Sequence, residues 1–242
     1  MNIETHHIKV GGVAVAITRK DIKNLHLSVY PPEGTVRVAA PVSVSNEAVR
    51  LAVVEKLGWI KRQQSKFAAQ LRQSERAMVD RESHYFQGQR YLLRVVHHKS
   101  ATKINLRAGS IMELHTRPET TSEHRERILH RWYREQLKEL APPIFSKWQR
   151  ILSVEPTDWS IRKMKTRWGT CSQETRRIRI NLELAKKSPQ CLEYIIVHEL
   201  LHLIERKHND RFIQLLTKHL PHWKMVREEL NAAPLGHEDW GC

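Results

Sequence analysis

The sequence predicts an α+β protein: a β-rich N-terminal region with one basic helix, followed by a compact helical domain holding a short β-hairpin or sheet. Three observations predict it. Residues 6–42 and 85–115 carry short β-branched runs punctuated by glycine and proline, residues 46–76 and 122–152 carry apolar residues at helical spacing, and the last third places polar chemistry on helices. The boundary is expected in the polar stretch 116–121, which contains Pro118, giving an N-terminal region 1–117 and a C-terminal domain 118–242.

The first strands are read at 13–18, 25–30 and 35–39, with Pro31-Pro32-Glu33-Gly34 as a turn. Ser45 or Asn46 caps a helix in which Val49, Val53, Leu57 and Ile60 form the apolar stripe, while Arg50, Lys56, Lys61, Arg62, Lys66, Arg72 and Arg76 lie on the other face. A second β segment follows, with turns at Gly88 and Gly109. Ile128, Leu129, Trp132, Tyr133, Leu137 and Leu140 fit a 3.6-residue period, Pro142-Pro143 interrupts that helix, and residues 144–152 resume it. Residues 159–164 and 178–182 read as two strands around the loop 166–172. Ser188-Pro189 starts a helix running to Glu205 or Arg206, and Asn209 caps another. No internal repeat or low-complexity tract is visible.

Composition excludes several classes. Hydrophobic residues make up 40% and charged residues 28% of 242, as in a packed globular chain rather than a disordered or fibrous one. No apolar run approaches the roughly 20 residues of a membrane-spanning helix, and no signal peptide is readable, so no membrane partner is expected. With three scattered cysteines the expected compartment is the reducing cytoplasm. The net charge is +15, and residues 1–150 hold 26 Lys+Arg against 14 Asp+Glu, a net of +12. That half is expected to bind nucleic acid weakly and without sequence preference, through Lys61, Arg62, Lys66, Arg72 and Arg76 on one helix.

The chemistry is concentrated in His198-Glu199-Leu200-Leu201-His202. Histidines four apart lie on one helical face, where two imidazoles can hold one zinc ion at about 2.0–2.1 Å. Glu199 beside them is placed to act as general base on a zinc-bound water. Leu192, Ile196, Leu200 and Leu203 share the opposite face and anchor the helix. Seven residues separate His198 from Glu205, an axial rise of about 10.5 Å, so a straight helix cannot supply all three donors. The chain must end its helix and fold back; His208, just before the Asn209 cap, is placed for this, with Glu205 as the alternative. Cys171 and Cys191 read as packed thiols.

Thr166-Arg167-Trp168-Gly169-Thr170-Cys171-Ser172, Ile178-Arg179-Ile180-Asn181-Leu182 and the stretch from His198 through His208 to Phe212 together resemble the YgjP-type metallopeptidase-like family, related to the SprT and Wss-type zincins. Trp59-Ile60 and the 85–92 segment extend the resemblance over most of the chain. It implies a zincin-like catalytic domain, one zinc per chain on His198, His202 and His208, Glu199 in the catalytic position, and a polypeptide substrate. The SprT and Wss-type relatives act on proteins attached to DNA. Metzincins carry glycine where this chain has Glu205, which separates it from that branch. Arg167 and Trp168, read as a hairpin loop before the metal helix, are candidates for substrate binding at a strand edge. The expected function is thus a zinc metallopeptidase. Two alternatives use the same residues: a metal-dependent nucleotide pyrophosphatase cleaving a phosphoanhydride, and a nucleic-acid-binding protein with a structural metal site completed by a fourth protein ligand such as Cys171.

Overall fold

The computed structural model describes residues 5–30, 33–69, 77–98, 102–164 and 167–232. The chain divides into two compact units between Glu75 and Arg76.

In the first unit, the strands β1 (Thr5–Val10), β2 (Val13–Lys20), β3 (His26–Tyr30) and β4 (Thr35–Pro41) precede the helix α1 (Asn46–Ala69). The sheet order is β1-β2-β4-β3, with β2 and β4 parallel and the other pairs antiparallel. Alternation along β2 and β4 turns Val13, Val15, Ile17, Val36, Val38 and Ala40 inward, where Val49, Val53 and Ile60 of α1 meet them. Each such aliphatic side chain contributes about 1.5–3 kcal/mol by leaving water. The Ser45 hydroxyl accepts the Ala48 N–H at 3.2 Å and caps α1. On that helix Lys61 and Arg62 are exposed; the side chain of Lys66, and all of Arg72 and Arg76, lie outside the described residues.

The second unit opens with β5 (Ser83–Phe86), β6 (Gln89–His97), β7 (Lys103–Arg107), β8 (Ile111–Thr116) and the helix α2 (Ser122–Leu152). Its sheet has the order β5-β6-β8-β7, again with one parallel pair, β6 with β8. This is the topology of the first unit, so the chain contains an internal ββββα repeat that the sequence alone did not disclose. A step of 76 residues carries the Gly11-Gly12 turn (φ 56° and 84°) onto Gln87-Gly88 (φ 48° and 79°). The same step carries the Ser45 cap onto Thr121, whose hydroxyl accepts the His124 N–H at 3.3 Å. Buried Val10, Ile17, Val36, Val38 and Val53 likewise map onto buried Phe86, Leu93, Met112, Leu114 and Leu129. One difference is a two-residue slip of the parallel pair: Ile17 lies opposite Val38, but Leu93 lies opposite Met112. An even slip keeps every side chain on its own face.

Two expectations are corrected here. The polar stretch 116–121 is a connection inside one unit, because Phe86, Leu93, Met112 and Leu114 share a core with Leu129, Tyr133 and Leu137, and the Tyr133 hydroxyl donates to the Tyr85 carbonyl at 2.7 Å. Pro142 and Pro143 lie within a continuous α2. The buried stripe Leu137, Ala141, Phe145, Trp148 and Leu152 runs on past them, so packing outweighs the roughly 3 kcal/mol a helical proline costs.

After α2 come β9 (Asp158–Arg162), β10 (Gly169–Ser172) and β11 (Arg177–Asn181), a 3-10 turn (Leu182–Lys186), and the helices α3 (Pro189–Leu201), α4 (Asp210–His219) and α5 (Trp223–Ala232). The two expected strands are β9 and β11, but they pair in parallel, and the expected loop holds β10 at the sheet edge, antiparallel to β11. Arg167 and Trp168 therefore lead into an edge strand rather than forming a hairpin loop. No helix among the described residues is long and apolar enough to cross a membrane.

Candidate metal centre

Ser188 and Pro189 start α3 as the sequence predicts, although the Ser188 hydroxyl lies 3.4 Å from the Cys191 sulfur instead of bonding to the helix backbone. Leu192, Ile196 and Leu200 are buried, as expected of the anchoring face. Glu193 fastens the helix to α2, accepting the Trp148 indole N–H at 2.7 Å and the Lys147 ammonium at 2.8 Å. The helix ends at Leu201, four residues before the predicted end, and a tight turn follows in which the Leu203 and Ile204 N–H groups reach back to the Leu200 and Leu201 carbonyls. That early end lets the chain fold back. Asn209 then caps α4 by accepting the Phe212 N–H at 3.1 Å.

The turn brings three imidazoles together. Ring centroids of His198, His202 and His208 are 4.7–4.9 Å apart, and their candidate donor atoms all lie within 4.8 Å of one another. Nε2 of His198 and Nε2 of His208 are 2.9 Å apart. Donors around a tetrahedral zinc lie about 3.3 Å from each other, so this cluster has the size and donor set for one ion. The Nδ1–H of His202 donates to the Glu205 carbonyl at 3.1 Å, which leaves Nε2 with its lone pair free for a metal. Gln173 reaches from the β10–β11 turn to the His202 carbonyl at 2.6 Å. Phe212, fully buried, lies 4.8–5.0 Å from all three rings and forms the apolar floor. Burial, reinforced by the neighbouring imidazoles and Arg227, pulls the His198 pKa down to about 3, and burial also lowers that of His202. Both rings are therefore kept neutral, the form that ligates.

Glu205 and Cys171 stand outside this group. The Glu205 carboxylate turns back to the Lys207 N–H at 3.3 Å. Cys171 is half-buried on β10, where burial and the charge of Glu199 push its thiol up to about 11.

Glu199 is 5% exposed and its pKa is pushed up to about 8 by burial, with Arg167 acting in the opposite direction. Its carboxylate lies against the backbone of Gly169: a Cβ there would stand 2.6 Å from Oε1. Glycine is thus what admits Glu199 to this position. The role of Gly169 was missed in the sequence, although its place in Arg167-Trp168-Gly169 was the available signal. Asn181 was missed as well. Buried at 4%, it donates from Nδ2 to the Met164 and Arg167 carbonyls, both at 2.8 Å, and so shapes the chain entering β10. Arg167 is exposed and its charge reaches Glu199, whereas Trp168 is half-buried with the Lys187 ammonium 5.4 Å from its ring centroid.

Two imidazoles one helical turn apart, a third after a fold-back, and a buried glutamate beside the first have the make-up of a metal-dependent hydrolase. Within that class, the chain belongs to the YgjP-like metallopeptidase-domain family, whose sequence profile matches residues 23–233. Among solved structures it is similar to the metallopeptidase zymogen abylysin of Pyrococcus abyssi, at 20% identity over 36% of this chain and 89% of that one, with a TM-score of 0.34. It is similar also to the metallopeptidase zymogen jannalysin of Methanocaldococcus jannaschii, at 20% identity over 36% of this chain and 84% of that one, with a TM-score of 0.33. No curated protein sequence matches the chain.

Proposed function

We propose that the chain is a zinc-dependent peptidase in which His198, His202 and His208 hold one zinc ion and Glu199 is the general base. The observation that carries this reading is the convergence of three imidazoles beside a buried carboxylate. Zinc bound there would supply Lewis acidity towards a peptide carbonyl and lower the pKa of a water molecule. Glu199 accepts a proton and returns it to the departing amine, a task suited to a carboxylate whose affinity for protons is raised towards neutral pH. The Arg167 charge acts against that rise. The outer edge of β10 offers backbone groups on which an extended polypeptide would pair as an added strand.

The test separates binding from chemistry. Glu199→Gln should keep one zinc per chain and the fold but lose peptide hydrolysis by at least about a hundredfold, since the amide cannot accept the proton. His198→Ala, His202→Ala and His208→Ala should each lose the metal, measured by elemental analysis. Turnover of unfolded polypeptide by Glu199→Gln within a few-fold of wild type would remove Glu199 from this role. Cleavage of nucleoside triphosphates in place of polypeptides would replace the peptidase reading by the phosphoanhydride one.

A further inference from the structure

The repeat assigns a second polypeptide site. We propose that the open face of the first ββββα module, formed by Gly11, Gly12, Leu51, Val54 and Leu57, binds an apolar, turn-forming segment of a polypeptide substrate. The identity of the occupant as substrate rests on the peptidase reading; the surface itself rests on the comparison of the two modules.

In the second module the equivalent turn and the helix position of Tyr133 are contacted by the chain's own residues 182–188. The Gln87 N–H donates to the Ala185 carbonyl at 2.9 Å and the Gly88 N–H to the Lys186 carbonyl at 3.2 Å. Leu182, Leu184 and Ala185 are each 1% exposed beneath this contact. The Lys186 ammonium lies 5.6 Å from the Tyr133 ring centroid on α2, and Ser188 passes 3.3 Å from where a Cβ on Gly88 would stand. The turn thus presents left-handed backbone with its N–H groups outward, and a turn-forming segment seats its carbonyls on them.

The first module repeats the receptor. Gly11 and Gly12 adopt the same left-handed pair and are both exposed, and no atom of the described residues lies within 4 Å of where a Cβ on Gly12 would stand. The step of 76 residues places Leu57 where Tyr133 stands and Val54 where His130 stands. Leu57 packs against Gly11, its Cδ1 2.7 Å from the position of an added Cβ. Around it Leu51 is 57% and Val54 46% exposed. Aliphatic side chains thus replace Tyr133, whose ring faces the Lys186 ammonium that Glu183 holds at 2.6 Å, and His130, which feels the charges of both. An occupant matching this face carries apolar residues where residues 182–188 carry Glu183 and Lys186, while its carbonyls still meet the glycine turn.

The probe is a fluorescent eight-residue peptide with the sequence of residues 181–188 carrying Glu183→Leu and Lys186→Leu, titrated by anisotropy against zinc-loaded, full-length Glu199→Gln. Expected is saturable binding that weakens at least tenfold in Leu51→Asp/Val54→Asp. The milder Leu51→Ser/Val54→Ser, with circular dichroism as a check, covers a folding defect in the aspartate variant. Absence of binding, or equal binding by folded variants, overturns the proposal. Displacement of the peptide by a single-stranded oligonucleotide of low micromolar concentration assigns the face to nucleic acid instead. Self-association of the chain that both variants abolish, without peptide binding, assigns it to a second copy. Because the titration uses an inactive variant, failure of the wild type to cleave any polypeptide would sink the peptidase reading while leaving the binding result legible.

Discussion

The two ββββα modules have the same topology, the same left-handed turn and the same helix cap, yet they meet different fates. In the second, α2 continues for 31 residues, and its last turns carry Phe145, Trp148 and Leu152 into the core that supports α3. Residues 182–188 then close over the β5–β6 turn and lead directly into the metal helix. In the first, the corresponding face keeps Leu51 and Val54 in water. The difference teaches where the catalytic unit gets its rigidity. A generic module becomes a scaffold for a metal site when the next stretch of chain packs on it, so the site should feel perturbations in the covered module and be indifferent to those in the uncovered one.

The largest effect should come from truncating equivalent helix residues. Tyr133 is fully buried and hydrogen-bonded to Tyr85, so Tyr133→Ala should cost about 4 kcal/mol. Leu57 is half-buried, and Leu57→Ala should cost about 1–2 kcal/mol. Each unit has its own apolar core. Hydrogen exchange read segment by segment should therefore show Tyr133→Ala loosening residues 77–232 and weakening zinc binding, and Leu57→Ala loosening only residues 5–69. Loss of protection throughout the chain from either substitution would break the comparison.

A middle-sized effect separates His130 from Val54. Burial, with help from the Lys163 and Lys186 charges, pulls the His130 pKa down to about 4 from 6.5. A histidine depressed in the folded state takes its proton more readily when unfolded, so stability is full above about pH 6.5 and falls as the pH drops towards 4. Between pH 7 and 4.5 the loss should be about 2 kcal/mol. His130→Gln should remove it from the urea midpoint of the second unit; Val54→Gln should leave the pH dependence of the first unchanged. Identical acid profiles for wild type and His130→Gln would show that the covering segment does not desolvate this ring.

Much of this was legible in the sequence because short-range patterns carry it. β-Branched alternation marked the strands in both modules, and the turn glycines fell where left-handed backbone is required. Spacing gave His198 and His202, and the axial rise of a helix pointed past Glu205 to His208. The repeat stayed hidden because its equivalent core pairs, such as Val10 with Phe86 and Val36 with Met112, share burial and not identity. The boundary at 117/118 failed for a related reason: a polar connection looks the same whether it joins two units or crosses the surface of one. β10 has only four residues, Gly-Thr-Cys-Ser, too few for any period to emerge. Phe212 owes its place beside His198 and His202, and Gly169 its contact with Glu199, to the packing of separate segments, which spacing within one segment does not encode.

The smallest effect isolates the covering segment itself. Gly12 and Gly88 occupy the same turn position with φ of 84° and 79°, so alanine at either pays the left-handed backbone cost of about 1–2 kcal/mol. Among the described residues only Gly88 has a neighbour. An added Cβ there meets the Ser188 Cα at 3.3 Å and the Ser188 backbone nitrogen at 3.4 Å, whereas at Gly12 it meets nothing within 4 Å. Ser188 is the cap residue of α3, so the backbone that must give way is the one that starts the metal helix. Gly88→Ala should therefore lose about 1 kcal/mol more than Gly12→Ala and weaken zinc binding a few-fold in a chelator competition, while Gly12→Ala leaves zinc affinity as in the wild type. Equal penalties at the two glycines, with zinc affinity untouched in both, would mean that the contact between the turn and residue 188 does not constrain α3, and the covered module would lose its claim to position the site.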